Sequence, residues 1–71
     1  KISEQQKQYY TSVAQIYEKM DVKKAAKAIS GLASPQEMAQ VLLYMSSEQA
    51  GKVLDQINSA VATEILPEMM K

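Results

Sequence analysis

The side chains in this chain that could do chemistry are serines, carboxylates, lysines and tyrosines; it has neither His nor Cys. Catalysis by these types needs company, because a serine becomes a nucleophile only beside a base. Ser34 and Ser46 already have another reading, as N-caps of helices. Glu37 stands three residues after Ser34 and completes a capping box, and Gln49 plays the same part after Ser46. Asp21 and Asp55 are isolated from any candidate nucleophile, and the two glycines, Gly31 and Gly51, form no phosphate-cradling loop. Mg²⁺ would want clustered carboxylates. The eight acids, Glu4, Glu18, Asp21, Glu37, Glu48, Asp55, Glu64 and Glu68, are scattered instead. The expectation is a non-enzymatic chain with no catalytic residue, no cofactor and no metal site.

Charge narrows the partners. Eight Lys balance the eight acids, which argues against a nucleic-acid partner. The balance is uneven along the chain: residues 1–33 hold six Lys and three acids, residues 34–71 two Lys and five acids. Lys23, Lys24 and Lys27 form the densest basic patch, too small to mark a membrane or nucleic-acid surface. The gradient allows head-to-tail association with another copy; a solubilising surface is the plainer reading. No apolar run approaches the roughly 18 residues a membrane span needs. The chain opens on Lys1, so it is expected to be a piece of a longer protein, with any membrane anchor upstream.

The elements that must position these residues are helices. Ala, Met, Gln, Glu, Lys and Leu dominate, and all favour helix. Residues 1–20 read as one long helix with a seven-residue stripe. Ile2, Tyr9 and Ile16 hold one heptad position, and Gln6, Val13 and Met20 the other. Lys1–Gln8 has one apolar residue, so it reads as the end of an upstream coiled coil; the alternative is a helix starting at Ser3, with Ser3 and Gln6 as a capping box. Tyr9, Tyr10, Val13, Ile16, Tyr17 and Met20 then form an apolar band that can dock on a domain.

Residues 21–71 read as four short repeats in the same compact domain. Asp21, Ser34, Ser46 and Asn58 are N-cap residues spaced by 13, 12 and 12. Four residues after each cap come Ala25, Met38, Ala50 and Ala62; seven after, Ala28, Val41, Val53 and Ile65. Eight after come Ile29, Leu42, Leu54 and Leu66; eleven after, Leu32, Met45, Ile57 and Met69. These offsets define one helical face. Each helix is too short to be stable alone and must be covered by its neighbours. Small residues five after the caps, Ala26, Ala39, Gly51 and Thr63, would let helices approach closely. The pattern predicts an all-α fold, a superhelix of repeats of about 12 residues behind a longer first helix.

Three irregularities mark the repeats. Gly31 is expected to end its helix in the left-handed conformation, with Leu32 folding back. Pro67 is expected to stop or kink the last helix at Leu66, leaving Pro67–Lys71 as a final turn. Leu43 and Tyr44 are apolar where the sibling repeats carry Ser30 and Gly31, Asp55 and Gln56, or Pro67 and Glu68. The central helix therefore has a second apolar face. Either the first helix covers it within the chain, or Tyr9, Tyr10, Leu43 and Tyr44 are anchors for a protein partner.

The strings YEKMDVKKAAKAI, MAQVLLYM and SSEQAGKVLDQINSAVATEI carry a family resemblance. They resemble the intracellular N-terminal domain of MgtE-type magnesium transporters. They are more closely similar to the C-terminal domain of MotE/YlxF-type flagellar proteins, which include the spirochaete FlbB group. The features that carry it are Tyr17–Met20 leading into Asp21, Ala25–Ala26, Met45, Ala50–Gly51 and Asn58, over roughly residues 13–66. The resemblance implies a right-handed superhelix after a coiled coil and a membrane anchor. It implies a scaffold or chaperone role in assembling the flagellar motor's stator, on the periplasmic side, with a motor component as partner and self-association as a homodimer or larger. The alternative it implies is a cytoplasmic Mg²⁺-sensing domain of a transporter. The flagellar switch protein FliG, with comparable helical repeats, is a more distant likeness. Val22 stands where Pro is common after the cap, and Pro67 departs from the usual last repeat.

Overall fold

Each of the four expected caps starts a helix in a computed structural model that describes residues 3–71. The elements are α1 (Glu4–Lys19), α2 (Val22–Ser30), α3 (Pro35–Leu43), α4 (Ser47–Gln56) and α5 (Ser59–Met69). The described residues are all helix and connecting turns, with no strand. Asp21 accepts from the backbone N–H groups of Lys23 and Lys24, Ser34 from Glu37, Ser46 from Gln49 and Asn58 from Ala60. Each cap satisfies N–H groups that a helix start leaves without a partner. At Ser34 and Ser46 only this half of a capping box is made. The reciprocal box forms at Ser3: its N–H donates to Gln6 Oε1 at 3.1 Å, and Gln6 N–H returns to Ser3 Oγ at 3.2 Å. The Ser3–Gln6 capping box that the sequence offered is therefore made. The heptad residue Ile2 lies outside the described residues.

Helices of nine to eleven residues need tertiary cover. Here it comes mainly from the helix two places along: α1 packs on α3, α2 on α4 and α3 on α5. Alanines make the close approaches. Ala14, Ala25, Ala26, Ala39 and Ala50 are all buried, small side chains where the helices pack. Ile29, Val41, Leu42, Val53 and Ile65 fill the centre. The radius of gyration is 11.1 Å, which matches about 11 Å for a compact chain of this length.

The repeat register meets its limits at named positions. Gly51 and Thr63 are exposed, and a Cβ on Gly51 would meet nothing within 4 Å. Close approach therefore happens at Ala26 and Ala39 but not at their two siblings. Ala28 is exposed as well, where Val41, Val53 and Ile65 are buried. Gly31 does not take the left-handed conformation: φ is −87° and ψ 1°. The helix end tightens instead, Gly31 N–H donating to Ala28 O and Leu32 N–H to Ile29 O. That uses up two orphan carbonyls without a positive φ. Leu32 does fold back, half-buried against the core.

Pro67 does not stop α5, which runs through it to Met69. Two things make the passage cheap. The hydrogen bond proline cannot make would go to the Thr63 carbonyl, and Thr63 is exposed, so water can take it. Beyond the proline, Met69 packs against the core and holds the last turn.

Candidate protein-interaction surface

α1 lies on the domain by one side. Ala14 is buried, with Tyr10, Val13, Tyr17 and Met20 half-buried against the core. The register of these five residues aims Tyr9 and Ile16 away, and they are 56% and 62% exposed. The expected docking band is thus narrower than six residues, because a helix resting on one neighbouring layer covers only part of its circumference. Residues Ser3 to Tyr9 are all exposed.

The four expected anchors separate into two pairs. Tyr10 stacks on Tyr44, ring centroids 5.9 Å apart and planes at 29°. Tyr44 is the C-cap of α3, its N–H shared among the last carbonyls of that helix, so its ring is held where α1 crosses. Tyr9 meets Tyr10 edge-on at 5.4 Å and 70°, and remains largely in solvent. Leu43 is 47% exposed and turns into a different feature, an open groove of about 250 Å³. Its walls are Leu43 from α3, Ala50, Gly51 and Leu54 from α4, and Met69 from α5. Leu66 and Met70 are also exposed on α5 and just past its end. An exposed leucine on the wall of an apolar groove is what makes this face a candidate interaction surface.

Sequence reasoning reached Leu43 and missed the groove around it. Gly51 was the available signal: a glycine at helix offset five, with no turn to make. Missed too was an open polar depression of about 570 Å³ lined by Gln15, Glu18, Lys19, Ser46 and Gln49. There a Glu18 carboxylate oxygen accepts the N–H of Ser46, at the start of α4. Glu18 thereby does from α1 what the Gln49 side chain was expected to do from within α4. A carboxylate at a helix N-terminus is also favoured by the helix dipole.

Among the described residues no three acidic side chains converge in a way that could hold a metal ion. No described helix is long and apolar enough to cross a membrane. No family model, curated protein or solved structure matches the chain.

Proposed function

We propose that this chain is a protein-interaction module of a MotE-like flagellar motor scaffold or stator-assembly factor, without enzymatic activity of its own. The observation that carries the interaction reading is the set of apolar side chains left in solvent: Tyr9, Ile16, Leu43, Leu66 and Met70. Leu43 among them sits on α3, whose other face buries Met38, Ala39, Val41 and Leu42, so its exposure is not slack in the core. The finer fold reading is a right-handed superhelix of short repeats, and packing between alternate helices supports it. The flagellar assignment rests on the resemblance of residues 13–66. With it come a periplasmic location and a membrane anchor and coiled coil upstream.

Deleting this domain from the source bacterium's gene tests the assignment. Swimming should fall severely, with growth in low Mg²⁺ unchanged. Normal swimming with impaired growth in low Mg²⁺ would overturn it in favour of a transporter's sensing domain.

A further inference from the structure

α1 is joined to the domain differently from the other helices. The largest fully buried side chains, Ile29, Val41, Leu42, Val53 and Ile65, all lie on α2–α5, and α1 adds only Ala14 to the buried core. The centre of the core is therefore built without α1. α1 is also the longest helix, 16 residues against nine to eleven. It carries its own support: the Ser3–Gln6 capping box, Glu4 in its first turn and Lys19 in its last. A helix of that length can keep part of its structure without tertiary cover, which the four shorter ones cannot.

The joint to α2 can turn without breaking the backbone ladder. Met20 (φ −83°, ψ 159°) and Asp21 (φ −55°, ψ 135°) both stand outside the helical region. Their backbone bonds look to opposite sides: Met20 N–H donates to Tyr17 O, and Asp21 O accepts from Ala25 N–H. Among the described residues no backbone hydrogen bond crosses the joint. Two specific ties hold α1 down, and both land on the turn between α3 and α4. Tyr10 stacks on Tyr44, and the Glu18 carboxylate accepts the Ser46 N–H. Every other side-chain hydrogen bond among the described residues spans four positions or fewer. The rest of the cover on α1 is the half-buried surface of Val13, Tyr17 and Met20.

We infer that α1 is a strap that opens and closes as one helix, turning at Met20–Asp21 while α2–α5 stay folded. The Tyr44–Ser46 turn is its catch: Tyr44 holds the middle of α1, and Ser46 holds its hinge end. Opening gives up the burial of Ala14, the partial burial of four larger side chains and the surface beneath them. Global unfolding gives up the whole core, so opening lies among the cheaper, sub-global motions of the domain. It presents Tyr10, Val13, Tyr17 and Tyr44 together, an aromatic surface that the closed domain half-buries. The inference does not depend on the flagellar assignment.

Amide exchange of the whole chain at low urea tests it. Once undocked, a marginal helix protects its amides only slightly. Amides from Val13 to Lys19 should therefore exchange within a few-fold of one another, and at least about ten-fold faster than those of Val41, Leu42 and Val53. They should share one urea dependence, shallower than that of global unfolding. Tyr44→Ser, which removes the stacked ring, should speed the α1 amides about 5- to 30-fold. Glu18→Ala should speed them less, because that bond joins exposed groups. Three results overturn the inference. If the α1 amides are as slow as that of Val41, α1 leaves only when the domain unfolds. If rates fall steadily from Ser3 inward, with Tyr17–Lys19 as slow as Val41, the helix frays and does not open. If Tyr44→Ser leaves the α1 amides unmoved, their exchange does not break that stack. Swimming tests the flagellar assignment separately, so the two can fail independently.

Discussion

α3 and α5 carry the same repeat and end in different states. Leu42 and Leu66 both stand eight residues after their caps, yet Leu42 is 1% exposed and Leu66 46%. Met38, Ala39, Val41 and Leu42 are all buried on α3, whereas α5 buries only Ile65. The difference lies in the neighbours. α3 is packed by α1, α2, α4 and α5, while α5 rests chiefly on α3. A repeat register says which side chains can be buried; the helices packed around them decide whether they are. α5, covered chiefly on one side, leaves part of the same apolar register wet.

The largest test of this contrast is a matched pair of truncations. Leu42→Ala removes a side chain from a closed core and should cost about 2–5 kcal/mol. Total stability is on the order of 4–11 kcal/mol at this length. Leu66→Ala should cost under about 1 kcal/mol, because most of what it removes already meets water. Urea unfolding followed by circular dichroism measures both. Equal losses would mean that α5 is covered in solution, by a neighbour such as a second copy, and the contrast would break.

A smaller effect separates the two faces of α3 itself. Tyr44→Ser removes the ring stacked on Tyr10 and should cost about 1–2 kcal/mol of stability. Leu43→Ser, one residue away, should stay within about 0.5 kcal/mol. In an assay of partner binding the order should reverse, with Leu43→Ser the more harmful of the two when both are fully folded. A Tyr44→Ser domain as stable as the wild type would show that α1 is not docked through that ring.

How much of this was legible beforehand follows from how local each cause is. Caps are local: Asp21, Ser34, Ser46 and Asn58 each satisfy N–H groups two or three residues on, and all four could be read from type and spacing. The face defined by Ile29, Val41, Leu42, Val53 and Ile65 was legible for the same reason. What could not be read depends on contacts far along the chain. Glu18 reaching Ser46 spans 28 residues, and nothing in either segment announces it. Gly31 looked like a left-handed stop because glycine permits that conformation; the tightened turn it takes is open to other residues too. The four expected anchors parted because Tyr44 and Leu43 are neighbours on a helix, which puts them about 100° apart around the axis. The groove needed three helices to close in on Gly51, so only its parts were visible.

The smallest effect asks whether Pro67, and not its one-sided packing, is what loosens α5. A proline inside a helix costs up to about 3 kcal/mol against alanine. Here the loss is smaller, because Thr63, whose carbonyl is orphaned, is an exposed residue and the site lies two residues from the end of α5. Proline also stiffens the unfolded chain, which offsets part of any gain on replacement. Pro67→Ala should therefore stabilise the domain by roughly 1 kcal/mol. Amide exchange at Met69 and Met70 should slow with it, since the alanine N–H can donate to the Thr63 carbonyl and the last turn frays less. The Leu66 side chain should stay as accessible as before, which a paramagnetic solvent probe read at its methyl signals would report. If Pro67→Ala instead draws Leu66 out of solvent, the proline was holding α5 off its neighbours. The contrast with α3 would then come from one residue, not from the number of helices packed around it.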